Sequence, residues 1–229
     1  MSQETNGTLI FNEKEYDVSF PVINFRNKQR GMSFHTPNFS HHWNERSDPT
    51  GKSIDCVILH WDVCKSSKNC FQTLSNRKLS IHLMIDYDGT VYQSLDLAKK
   101  AWHASSENDH SIGIEINNPY DVQQYDPNWP REIVSSRTPN KEGSFHKHLD
   151  FRPEQKTRVV EVVEALCSII NIPRKLPPLD SEGEVVVRTL KKNEIKGVVG
   201  HFHTSNVKID PGDTLWPMLQ ESFSKPKPL

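Results

Sequence analysis

Seven residues, Ser111-Ile112-Gly113-Ile114-Glu115-Ile116-Asn117, alternate without a break. Successive side chains of a β-strand point to opposite faces. Ile112, Ile114 and Ile116 therefore share one face, and Gly113, Glu115 and Asn117 the other. Three isoleucines call for burial against an apolar layer. A carboxylate among short side chains suits the floor of a cleft. A chain with such a strand is constrained to a sheet that packs on one face and hosts polar groups on the other.

The neighbouring segments fill in that sheet. Cys56 to His60 reads as a buried strand, followed by a short helix near residues 71–78. Ile81–Asp86 and Thr90–Leu95 flank Asp88-Gly89, a strong hairpin signal. From Pro153, apolar residues Val159, Val162, Val163, Leu166, Ile169 and Ile170 repeat at helical spacing until Pro173. Val198 to Phe202 is expected to be a last strand, and Trp216 to Phe223 a closing helix. Strands separated by helices, with one hairpin, give an α/β fold built on a single mixed β-sheet flanked by helices.

Residues 1–53 read as an N-terminal arm packed on a main domain of residues 54–229. Within the arm, Thr8–Phe11 and Tyr16–Phe20 are expected to pair as a hairpin. Two excursions, 118–150 and 174–195, interrupt the main domain as long loop insertions. Trp129 and Phe145 in the first could form a lid.

Only 34% of the 229 residues are hydrophobic, which leaves much of the chain for exposed loops. The net charge of -1 lacks the basic excess of a nucleic-acid-binding protein. No apolar stretch approaches a membrane span, so no membrane is expected as partner. Cys56, Cys64, Cys70 and Cys167 match no zinc knuckle and no redox motif, so reduced thiols are expected; a Cys64–Cys70 loop disulfide is the alternative. Oligomeric state cannot be read.

The reactive groups lie at strand ends. His60 closes the apolar run Cys56–Leu59, and His201 closes Gly197–Gly200. A short polar loop after His201 returns Lys208 and Asp210 before Pro211-Gly212. Two imidazoles and a carboxylate are an ordinary donor set for catalytic zinc, which keeps its fourth position for water. Nickel, copper and iron also accept imidazole, so zinc is a preference. His203, two residues from His201, offers a rival ligand. His41, His42, His110, His146 and His148 read as surface residues.

In this order, Val57–His60, Ser80–Asp86 with Asp88–Gln93, Ala101–Ala104, Ser111–Glu115, and Gly200-His201 through Asp210–Gly212 resemble the type 2 zinc-dependent N-acetylmuramoyl-L-alanine amidases. That family is related to phage lysozyme-amidases and peptidoglycan recognition proteins. The resemblance spans roughly residues 54–217 and implies an amidase/peptidoglycan-recognition-like fold. It further implies that His60, His201 and Asp210 bind Zn2+, that Glu115 is the general base and that Lys208 supports the oxyanion. Some members carry cysteine where Asp210 stands. In the phage branch a tyrosine precedes the hairpin histidine; Ile81 takes that place here, which leaves the role to Glu115. His82, Trp102, His103 and Asn117 are assigned to substrate contact.

The implied reaction is hydrolysis of the amide between N-acetylmuramic acid and L-alanine in peptidoglycan or muropeptides. A peptidoglycan-binding module without catalysis is the alternative; another metal-dependent hydrolase ranks lower. The first residues lack a signal-peptide pattern, so the chain is expected to be cytoplasmic as synthesised. It would reach a wall by release or dedicated delivery, or act on soluble muropeptides.

Overall fold

The computed structural model describes residues 6–48, 50–119, 122 and 131–226. Among these, a six-stranded sheet has the order β12-β5-β9-β6-β7-β3. Its strands are β3 (Val22–Asn24), β5 (Cys56–Trp61), β6 (Leu83–Ile85), β7 (Val91–Gln93), β9 (Ser111–Ile116) and β12 (Gly197–Gly200). Strands β12, β5, β9 and β6 run parallel; β6 and β7 are antiparallel, and β7 pairs parallel with β3. The sheet is mixed, as expected.

Alternation decides what each face meets. Val57, Leu59, Leu83, Ile85, Ile112, Ile114 and Ile116 join one core with Val159, Val162, Val163 and Leu166 of α2 (Pro153–Ile169) and with Leu219 of α4 (Trp216–Ser224). The other face packs Cys56, Ile58 and Val199 against Leu190 and Ile195. Nearby, Met84 and Ile81 meet Cys70 and Leu74 of α1 (Ser67–Asn76). Strand β5 is buried on both faces, which explains its continuous apolar run. All four cysteines are free thiols.

The segment before residue 54 does more than pack on the domain. Strands β1 (Gly7–Phe11) and β2 (Lys14–Val18) form the expected hairpin. Gln93, buried on β7, ties it down: its amide accepts from Ile10 N (2.8 Å) and donates to Ile10 O (2.7 Å). Strand β3 then supplies the sheet's edge. Further on, β4 (Trp43–Asn44) pairs with β8 (Lys100–Ala101).

Two expectations are corrected. The last strand stops at Gly200, and His201–Thr204 form one helical turn, α3. The excursion at 118–150 is not all loop, because β10 (Ile133–Arg137) and β11 (Phe145–Leu149) pair antiparallel. Trp129 lies outside the described residues; Phe145 is exposed on the hairpin. No helix among the described residues is long and apolar enough to cross a membrane.

Candidate metal centre and active site

The site sits at the carboxyl ends of the parallel strands, where open α/β sheets usually place their ligands. Parallel register sets His60 of β5 directly beside Glu115 of β9. Strand β12 delivers His201 at its end, and the loop after α3 brings Asp210 back, with Phe202 N donating to Asp210 O (3.1 Å). His60 and His201 are 141 positions apart in sequence.

Three donor atoms converge. His60 Nδ1 lies 3.0 Å from His201 Nδ1 and 3.5 Å from Asp210 Oδ2, and His201 Nδ1 lies 3.0 Å from the same oxygen. Ligands about 2.0–2.1 Å from a tetrahedral zinc sit roughly 3.3 Å apart. Among the described residues this is the one His/Cys/Asp/Glu group with spacing fit for a metal. The donor set also has the right charge. Burial pushes Asp210 up, but the His201 and His60 imidazoles beside it outweigh that and hold the carboxylate well below its usual range. Burial, aided by the neighbouring His201, pulls His60 down to about 4 and keeps it neutral. The residues present fit a divalent ion such as zinc.

A chain of hydrogen bonds sets the tautomer of His60. Ser111 Oγ donates to Glu107 O (2.6 Å), so its contact with His103 Nε2 (3.2 Å) uses the imidazole proton. His103 Nδ1 is then an acceptor, and His60 Nε2 must donate to it (3.0 Å). The Nδ1 lone pair of His60 is left facing Asp210 and His201. Support of this kind orients a ligand and tunes its basicity. Gly113 makes the room: a Cβ there would stand 2.6 Å from His103 Nδ1.

Glu115 is partly buried, and among the described residues its Oε2 has neither solvent contact nor a hydrogen-bond partner. Burial, then the charges of Asp62 and Asp210, push its pKa well above that of an ordinary glutamate. A carboxyl in that state can take and return a proton near neutral pH. Lys208 is exposed on the returning loop, and its charge acts on both His60 and Glu115. Trp102 has its backbone pinned to Ser80 and is 37% exposed as a residue.

Three residues expected at the substrate, His82, Asn117 and His103, have their side-chain polar atoms engaged by other residues of the protein. His82 is fully buried; its Nδ1 accepts from Gly113 N (3.0 Å) and its Nε2 donates to Lys99 O (2.9 Å). Arg46 lies 3.2 Å from Nε2, but both groups carry protons there, so this is contact and not bonding. Burial and the Arg46 charge pull His82 down to about 3. Asn117 is also buried, donating to Asp62 (3.0 Å) and Cys64 O (2.8 Å). His103 has both ring nitrogens committed and acts on His60.

His203 is no ligand: Nδ1 accepts from Gly200 N (2.8 Å) and Nε2 donates to Val186 O (2.9 Å). His42 and His148, expected at the surface, are buried. Sequence reasoning passed over Ser111, although it shares the polar face of β9 with Gly113 and Glu115. It also missed Asp62, two positions past His60, whose burial pushes it up to about 7.

A family model described as N-acetylmuramoyl-L-alanine amidase matches residues 50–213. The 1,6-anhydro-N-acetylmuramyl-L-alanine amidase AmpD of Escherichia coli is 27% identical over 100 residues, 38% of this chain and 55% of that protein. The E. coli amidase AmiD, solved with anhydro-N-acetylmuramic acid-L-Ala-D-gamma-Glu-L-Lys, superposes with a TM-score of 0.50 at 16% identity, over 94% of this chain and 65% of its own. AmpDh3 of Pseudomonas aeruginosa gives 0.51 at 19% identity, over 78% and 63%. The matched region thus spans less than two thirds of each of these relatives. The solved structures share the fold.

Proposed function

This chain belongs to the N-acetylmuramoyl-L-alanine amidase family, and from that membership we propose that it hydrolyses the amide joining N-acetylmuramic acid to the L-alanine of a muropeptide or peptidoglycan stem. His60, His201 and Asp210 would hold the zinc. Bound there, zinc supplies Lewis acidity for the amide carbonyl and lowers the pKa of water to near 7. Glu115 takes the proton of the attacking water and returns it to the leaving nitrogen of L-alanine. The Lys208 ammonium offsets negative charge developing on the carbonyl oxygen, a contribution typically worth about 3 kcal/mol. His103 holds His60 in the tautomer the ion needs. The muropeptide class is supported by the anhydromuramyl peptides bound to AmiD and to AmpDh3.

The observation that carries this reading is the convergence of His60, His201 and Asp210, with Glu115 in register beside His60 and its Oε2 without a hydrogen-bond partner among the described residues. The test is incubation of zinc-loaded protein with an anhydromuramyl tripeptide and, separately, with sacculi. Free stem peptides with a new alanine amino group are expected from at least one of them, and the pair tells soluble from polymeric substrate. Glu115→Gln is expected to lower kcat by about 100-fold or more with zinc stoichiometry unchanged. His60→Ala and Asp210→Ala are expected to lose the metal. No stem peptide from either substrate at full zinc occupancy overturns the hydrolytic reading and leaves a binding module.

A further inference from the structure

The hairpin β10–β11 lies against the loop that carries Asp210. Ser136 and His148 are fully buried between the two. His148 Nδ1 donates to Leu149 O (2.9 Å), so its Nε2 accepts from Ser136 Oγ (2.7 Å). Ser136 Oγ in turn accepts from Asp213 N (3.0 Å). Each bond in this chain thus has a single direction, and Ser136 Oγ and the His148 ring each both donate and accept. Gly212, at φ +78°, closes the approach: a Cβ there would stand 2.8 Å from Ser136 Oγ and 3.1 Å from His148 Nε2.

Arg137, the next residue of β10, completes the contact. Its backbone N and its Nε both donate to Asp213 Oδ2 (3.0 and 3.2 Å). Its Nη1 donates to Asp180 Oδ2 (2.9 Å) and its Nη2 to Val185 O (2.8 Å). One guanidinium thereby joins both insertions, 118–150 and 174–195, to a loop whose third-last residue before Asp213 is the ligand Asp210. On its other flank the loop is bonded to Phe202 and packed on Gly200, where Pro211 leaves no room for a side chain.

We propose that Ser136, Arg137 and His148 are positioning residues for the metal centre, and that the hairpin built from this insertion is a clasp that fixes where Asp210 presents its carboxylate. The proposal rests on the zinc reading above. Removing groups that orient a ligand usually costs 10–100-fold in metal affinity. The clasp touches the Asp210 loop at Gly212 and Asp213, beyond the ligand itself, so its loss loosens the third donor and leaves His60 and His201 in place.

The experiment is zinc titration of the metal-free full chain against a chromophoric chelator, with the metal alone as probe. Ser136→Ala and Arg137→Ala are expected to weaken zinc binding about 10-fold or more. Arg174→Ala is the control. It removes a more enclosed ion pair with Glu164 on the α2 side of the sheet, and is expected to lower Tm with zinc affinity unchanged. Amide hydrogen exchange provides a second readout, since Ser136→Ala should release protection at Asp213 N. Zinc affinity within two-fold of wild type in both clasp variants overturns the proposal, as does retained protection at Asp213. Should Arg137→Ala fail to fold, the milder Ser136→Ala decides. A wild-type chain that binds no zinc refutes the metal reading itself, an outcome distinct from equal binding by wild type and variants.

Discussion

A Cβ on Gly113 would press on Ile81 Cδ1 at 2.4 Å as well as on the His103 ring. The isoleucine tip can turn aside. The imidazole cannot, because it is bonded to His60 on one edge and Ser111 on the other. Gly113→Ala is therefore expected to destabilise the protein by about 1–3 kcal/mol, the usual cost of overpacking. It should also weaken zinc binding by disturbing His60. Urea midpoints and chelator competition measure the two effects, and an unchanged zinc affinity would mean that the His60–His103 bond has slack. Among single residues, the meeting of His60, His201, Asp210 and Glu115 was legible, because each ends a strand, closes a tight loop or stands on the polar face of an alternating strand. His82 and Asn117 shared that polar pattern but not the outcome. Their partners, Lys99 and Asp62, come from other elements, and no local pattern announces them.

At the scale of elements, helix α2 is held at its start by one side chain. Gln155 Oε1 accepts from Arg152 N (3.1 Å), and its Nε2 donates to Asn117 O (2.7 Å) at the end of β9. Gln155→Ala removes a helix cap and orphans a buried carbonyl, for an expected loss of about 1–3 kcal/mol. Thermal or urea unfolding checks it; a change below a few tenths would show that water replaces the amide. Helix α2 itself was legible from Pro153 and its apolar stripe, as were β5, β9 and the Asp88-Gly89 hairpin. The pair β10–β11 was not. Ser135, Ser136, Arg137, His146, Lys147 and His148 give no apolar rhythm, because these strands pair with each other and pack on a loop instead of entering the main core. The end of β12 was misplaced for a related reason: Gly200 continues the apolar run, but His203 bonds back to its N–H and turns the chain into α3.

For the whole molecule, the metal-free protein is expected to be acid-labile. Burial keeps the imidazoles of His35, His60, His82, His103, His146, His148 and His203 below their ordinary pKa. Each takes up a proton more readily when the chain unfolds, so its contribution is complete above about pH 6.5 and is lost as pH falls toward the folded values, about 4 for His203 and about 3 for His82. Asp62, Asp86 and Glu115 are raised by burial and act in the opposite sense, but the histidines outnumber them. Tm should drop steadily from pH 7 to 4.5, with proton uptake on unfolding; a flat profile would contradict the enclosed histidines. The 141 positions between His60 and His201 carry a last consequence. An ion shared by these two side chains would close most of the polypeptide into a ring. Ring closure over such a length can remove about 5 kcal/mol of freedom from the unfolded chain, as a long-range disulfide does, yet it needs no oxidising compartment. The ion would then be a rivet for the whole architecture, and its depletion would cost the folded protein along with its turnover.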